Sequence, residues 1–503
     1  MTKTSDEMKR YVWMLAAAAL LGACQRSNEP TDGCATLSSL PTTEDLQTVQ
    51  GRIVAGIAQT AFPDREVVFR QPDDFATART ALQSAIDACS EAGGGRVRVV
   101  PGNYWLNGPI VLKSNVNLHV EEGAVLQFSG RADDFLPVVY TRWEGTELYG
   151  RSPMIYALHQ TNIALTGRGV IDAQGSQEMA AWSRLEMPDV NRLRAMGEMQ
   201  IPLHKRVFGQ GTILRPQMVQ LIGCSRVLIE NVTLRDSPFW TIHPVYCDNV
   251  IVRGVTIDSH NPNNDGCDPE SSSNVLIENC TFRCGDDAVA IKAGRDADAR
   301  AIGRPSENIV IRDCVFSSDC NGLCIGSEMS GGVAHVYMDR VAIGTVKNAL
   351  YFKSNRDRGG YIRDVHVHDI TVHRALGAIL RFETNYFGYR GGNFPSVYED
   401  FDIARVQADS ADCYAIYFDG IELDPADAKA SDGSRRSIRR IAVDDFHVAH
   451  AAYARPAAED GAPANPIYFY LSDDIRFSAS TVNGAAVAER PAESPARETC
   501  DVW

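Results

Sequence analysis

Residues 226–234 read RVLIENVTL, and the arrangement returns as NVIVRGVTI at 249–257, NVLIENCTF at 274–282, NIVIRDCVF at 308–316 and HVYMDRVAI at 335–343. Each copy is a short alternating strand, a polar kink and a second short strand. Successive copies begin roughly 23 to 34 residues apart. That interval is expected when each repeat is one coil of a solenoid, which buries its apolar face by stacking on its neighbours. The spacing predicts an all-β chain wound as a single-stranded, right-handed parallel β-helix. A propeller would need antiparallel hairpins with two-residue turns, and those turn signals are sparse. Working outward, NVNLHVEEGAVL (115–126), NIALTGRGVIDAQG (162–175) and YIRDVHVHDITV (361–372) share the form. Upstream, FATARTALQSAIDACSEAGGG carries Ala81, Leu82, Ala85 and Ile86 at helical spacing and stops at Gly93-Gly94-Gly95. A short helix there would cap the open end of the array.

The ends read differently. MTKTSDEMKRYVWMLAAAALLGAC places Lys3, Lys9 and Arg10 before an apolar run too short to span a bilayer, with small residues ahead of Cys24. This resembles a bacterial lipoprotein signal, in which Cys24 is acylated; a plain secretory signal with an incidental cysteine is the alternative. Gln25 fits no inner-membrane retention signal, which favours an outer-membrane anchor, periplasmic or cell-surface. The expected organisation is a signal over 1–23, a tether over 24–60, the β-helix over 61–485 and a loose C-terminal tail over 486–503. Cys34 and Cys500 could staple the ends, and Cys280 and Cys314, at one register of adjacent coils, read as interior thiols. The formal charge of −15 argues against nucleic acid as a partner. Membrane contact is expected only through the lipid, and the chain is expected to be a monomer without cofactor or metal.

Register then gathers acids. The second strands of three consecutive coils end at Ile257, Phe282 and Phe316. Beyond them, Asp286 and Asp287 should neighbour Cys320 and Asn321, while the longer NPNNDGCD loop (261–268) brings Asn263 and Asp265 to the same corner. The next coil delivers Tyr351, Phe352 and Lys353. Gly285 would let the chain bend so that both adjacent aspartates reach one cleft. Carboxyls crowded together cannot all ionise easily, so at least one should have a raised pKa. An acid beside ionised partners is what glycosidic cleavage requires.

On Asn263-Asn264-Asp265-Gly266, Gly285-Asp286-Asp287, GLCIGSEMSGG (322–332) and Phe352-Lys353-Ser354, the chain resembles the polygalacturonases of glycoside hydrolase family 28. The resemblance runs from about Asp73 to about Arg405. It implies an inverting hydrolase of pectic polysaccharides or oligosaccharides, with Asp286 as general acid and Asp265 and Asp287 holding and activating water. It further implies that Lys353 binds a galacturonate carboxylate, with Asn263 near the site. AIDACSEAGGGRVRVVPGNYWLNGPI, HVEEGAVLQFS and IKAGRDADARAIGRPSENI look like bacterial exo-acting members, which release one small product from a chain end. His243 and Trp240 in the SPFWTIHP stretch are also typical, each as readily structural as sugar-binding.

Two positions depart from the family pattern. Asn321 stands where the family usually has His, and Tyr351 where it usually has Arg. Arg295 and Arg358 lie in loops that could supply planar forks for a carboxylate instead. Two other readings stay open on these residues: a degenerate hydrolase retained as a glycan-binding surface lipoprotein, and a β-helical enzyme of the pectate-lyase type.

Overall fold

The computed structural model describes residues 43–70, 78–424, 434–452 and 465–494. Cys24, Cys34, Cys500, the expected signal and the last residues of the expected tail lie outside this set. The chain divides into Met1–Gly51 and Arg52–Trp503. A helix over Thr43–Gly56 occupies part of the segment expected to be an irregular tether. Among the described residues no helix is long and apolar enough to cross a membrane.

The repeats form the coils of a right-handed parallel β-helix. Three columns of inward side chains run along it. The first strands of the coils stack Val227, Val250, Val275, Ile309, Val336, Val365, Phe401, Ile441 and Ile475 in register. After the kink, Ile171, Leu234, Ile257, Phe282, Phe316, Ile343 and Val372 do the same. A third column, on the wall that will carry the site, runs through Val219, Ile242, Cys267, Val289, Leu323, Leu350, Leu380 and Ile416. All three are buried in one continuous core. Because stacked coils repeat backbone position, each inward residue meets its counterpart above and below, so like packs on like.

The polar kink has a backbone cause. Asn231, Asn279, Asp313, Asp369 and Asp445 all adopt left-handed φ between +51° and +63°. Asn and Asp tolerate that region better than other side chains. The same left-handed turn falls to Gly254, Arg340 and Arg405 in other coils, so Asn and Asp mark it in some repeats and not in all.

The capping helix forms over Ala78–Glu91, burying Ala78, Leu82, Ile86 and Cys89 against the first coil. Ten cysteines, Cys280 and Cys314 among them, are free thiols, and no disulfide occurs among the described residues. The coils continue past the repeats legible in sequence, through strands Val397–Ala411, Ile438–Ala451 and Ser472–Ser478. Between coils, the chain leaves the solenoid in a hairpin (Val139–Trp143, Thr146–Gly150) and two helices (Met179–Trp182, Met187–Glu198); the hairpin turn at Glu144 and the second helix reach the third column's outer face.

Candidate active site

A cleft of about 850 Å³ lies on that face. Strand register carries the acids into it as expected: Val289 pairs with Leu323, which puts Asp286 and Asp287 beside Cys320 and Asn321 one coil on. Asp265 arrives from the coil before, its carbonyl accepting from Thr241 N and the following Gly266 N donating to Asp287 O at 2.9 Å. Two glycines make this close seating possible. A Cβ on Gly266 would fall 2.4 Å from Ala288 O, and one on Gly285 would fall 2.4 Å from Asn261 O. The chain does bend at Gly285, but what excludes a side chain there is the approach of the NPNND backbone, not bulge geometry alone.

The loop itself is built around Asn264, which is fully buried and donates to Ser237 O at 2.8 Å while accepting from Asn261 N at 2.9 Å. Asn263 accepts from Arg215 Nη2 at 2.6 Å and turns its amide toward Asp286 Oδ2 at 3.4 Å. It therefore faces the acid first.

Charge is divided unequally among the carboxyls. Burial and the neighbouring Asp287 hold Asp286 above its ordinary range. Burial and Asp286 push Asp265 up as well, against the pull of Lys292 Nζ, 3.5 Å from Asp265 Oδ2. Asp287 goes the other way. Burial opposes its ionisation, but Lys353 and Lys292 overcome this, and the Asn321 amide donates to Oδ1 while Lys353 Nζ sits 3.1 Å from Oδ2. The site thus sets a carboxyl of raised pKa beside one of lowered pKa. Asp286, Asp287 and Cys320 bring three potential ligand atoms within 4.8 Å of one another. Both Asp287 oxygens, however, already accept from protonated donors, which occupy the positions a cation would take. Burial raises the Cys320 thiol well above its usual range, so it is not a thiolate.

Asn321, at the position expected for His, donates its side-chain amide to Asp287. Asn348, in register with it, donates to its Oδ1 at 2.8 Å and fixes the amide orientation. Tyr351 lines the cleft and donates to Glu383. In register with Tyr351 on the next coil is Arg381, its guanidinium carbon 4.8 Å from the Tyr351 ring centroid. A guanidinium is thus delivered one coil away from the position where sequence lacked one. Arg295 and Arg358 both line the cleft, but their forks turn to protein acids. Arg295 Nη2 is 2.5 Å from Glu328 Oε1 and 3.1 Å from Glu144 Oε2, and Arg358 Nη1 is 2.6 Å from Asp296 Oδ1. They brace the cleft wall instead of opening a fork to it.

His243 corrects the expectation that it contacts ligand. It is fully buried, bonded to Glu270 at 2.8 Å and set edge-on behind Trp240, with ring centroids 4.8 Å apart. Burial lowers its pKa despite Glu270, so it is a neutral support. Trp240 does form part of the cleft wall, with Lys292 Nζ 4.3 Å above its ring.

Sequence reasoning missed Lys292, Glu328, Arg381, Glu383 and the loop Tyr386–Phe387. Lys292 could have been found, because it follows the Asp286–Asp287 motif on the same strand, two positions after Ala290. The loop residues carry no register signal. In all, eight cationic side chains and six carboxyl groups line the cleft, and two of the cations, Arg358 and Arg390, pair with Asp296, which is not among the six.

Fold and cleft together define a parallel β-helix with an acid–base site on its outer wall. Residues 99–432 match the family model described as glycosyl hydrolases family 28. A Vitis vinifera protein named "Probable polygalacturonase" is 31% identical over 340 residues, 64% of each chain. An exo-poly-alpha-D-galacturonosidase of Dickeya chrysanthemi is 26% identical over 308 residues, 56% of this chain and 50% of that one. The crystal structure of a hyperthermoactive exopolygalacturonase from Thermotoga maritima superposes with a TM-score of 0.76 at 33% identity, covering 87% of this chain and 96% of that one. The chain belongs to glycosyl hydrolases family 28. It spans just under two thirds of the length of the Vitis relative.

Proposed function

We propose that the protein is an exo-acting glycoside hydrolase that releases galacturonate from the ends of pectic oligosaccharides with inversion. The observation that carries this reading is the division of charge between Asp286 and Asp287. Asp286, whose pKa is raised, is the carboxyl suited to give a proton to the glycosidic oxygen, and Asp287, whose pKa Lys353 lowers, is the one suited to take a proton from water. Asp265 flanks the pair from the preceding coil and positions the water.

Substrate class is supported by Lys292 and Lys353 lying beside the acids in the cleft, which suits a chain carrying one carboxylate per sugar. Exo action is supported by the protein enclosing the cleft: Glu144 of the hairpin, Met187 and Arg194 of the inserted helix, and the loop Tyr386–Arg390 all face it. Closest oxygens of Asp286 and Asp287 lie within 4.8 Å, nearer than the roughly 6.5–9.5 Å usual when water sits between two carboxyls. Inversion therefore rests on what the family resemblance implies and not on this spacing. We further read the chain as an exported lipoprotein anchored through Cys24.

Digestion of defined, unsubstituted oligogalacturonides followed by product analysis tests the whole reading. Monomer as sole early product, with the opposite anomer seen first by proton NMR, is the expected result. A ladder of sizes would refute exo action, the retained anomer would refute inversion, and an ultraviolet-absorbing unsaturated product would mark a lyase. Binding without cleavage would leave only a glycan-binding protein.

A further inference from the structure

The YIRDVHVHDITV segment holds a second cluster that the acid site does not use. Along the strand Tyr361–Ala375, Val365 and Val367 enter the core, so His366 and His368 share the outer face. Asp402 lies in register with His366 on the next coil, and the residue in register with His368 is the small Ala404. That leaves room for the Asp402 carboxylate to lean across. A single oxygen, Oδ2, consequently lies 2.9 Å from His368 Nε2 and 3.4 Å from His366 Nδ1.

These separations bracket the edge of about 3.3 Å that a tetrahedral site with bonds of about 2.0–2.1 Å requires. On its far side His366 Nε2 is 2.9 Å from Asp364 Oδ1. A carboxylate on the second nitrogen of a metal-bound imidazole fixes its tautomer and orientation. Tyr337 stacks flat on the His366 ring, with centroids 5.0 Å apart and planes 4° from parallel, and holds it in that pose. The three ligand residues are buried, at 5–8% exposure, yet not sealed. An ion-pair ladder would also gather these groups. What favours an ion is that one carboxylate oxygen lies near both imidazoles at the two edges a tetrahedral site would need, and the titration below separates the two readings.

We propose that His366 Nδ1, His368 Nε2 and Asp402 Oδ2 bind a divalent transition-metal ion, zinc being the ion that two imidazoles and one carboxylate suit. Solvent would complete the fourth position. The ion would clip the strand Tyr361–Ala375 to Val397–Ala411 on the outer face of the coils, apart from the acid cleft, whose lining contains none of the three.

The test uses the untagged full chain stripped with chelator. Zinc chloride titration by calorimetry should give one site per chain, and cobalt substitution should give a tetrahedral visible spectrum. Added zinc should raise the melting temperature. Asp402→Asn should abolish the site, and Asp364→Asn should weaken zinc by about 10–100-fold. Should wild-type protein take up no stoichiometric zinc at micromolar concentration, the cluster is an ion-pair ladder and the proposal fails. Equal zinc affinity in the wild type and Asp402→Asn would overturn the assignment of these ligands.

Discussion

Lys353 Nζ lies 3.1 Å from Asp287 Oδ2, two coils along from it, and is 93% buried there. Burial alone would discharge this lysine, but Asp287 holds its pKa well above the usual value. The pair therefore stays charged, and Lys353 sets the protonation of the acid site as well as offering a cation to substrate. In Lys353→Met the support for the Asp287 carboxylate is lost and its pKa rises. The acid limb of the kcat/KM profile should move to higher pH, with activity at neutral pH falling about 10²-fold or more. A profile that merely drops in height would show that Lys353 only binds.

Asp286→Asn removes the transferable proton and keeps the shape. Activity on oligogalacturonides should fall about 10²–10⁴-fold, with circular dichroism unchanged. A substrate with an activated leaving group, which needs no proton, should recover much of the loss.

Asp268 is fully buried beside Asp265, with no cationic hydrogen-bond donor on either carboxyl oxygen among the described residues. Burial and adjacent Asp265 raise its pKa well above the usual value. A carboxyl raised in the folded state favours folding least at high pH: its penalty is absent below the unfolded pKa near 3.9 and grows as pH rises toward the folded value. Asp268→Asn should therefore melt higher than the parent at pH 7, and the two melting temperatures should converge below about pH 4.

Phe387 stands at the cleft rim with 58% of its surface exposed. An exposed ring beside a sugar site gains from stacking, so Phe387→Ala should raise KM roughly five-fold, about 1 kcal/mol, with kcat little changed. Equal effects on both constants would place the ring at the reacting sugar instead.

Gly285→Ala would drive a methyl into the backbone of His260 and Asn261. Overpacking of this kind costs about 1–3 kcal/mol. Because the displaced loop carries Asn263 and Asp265, activity should suffer more than melting temperature, as a parallel assay of both would reveal.

Much of this molecule is legible along the chain because a solenoid is nearly one-dimensional. Val227, Val250 and Val275 stack because their repeats have the same form, and the Asn and Asp kinks mark where several of the coils turn. The same periodicity put Asp286 beside Cys320 and Asp287 beside Asn321 without any coordinates, and it separated Cys280 and Cys314 from any disulfide. Coils beyond Val372 were harder to see, since loops of unequal length break the spacing while the strands of Val397–Ala411 still pair residue for residue.

What the sequence determined by itself is the set of things that depend on register: the β-helix, its cap and the meeting of three aspartates. Tertiary structure alone decided the side-chain partnerships across unequal loops. Only folding shows that Arg295 and Arg358 are turned to Glu328 and Asp296, that His243 stands behind Trp240, that Arg381 reaches the Tyr351 ring, and that Asp402 leans past Ala404 to His368. Register fixes where a Cβ starts, but the rotamer and the charge it meets are set by segments distant in sequence, and no local pattern encodes them.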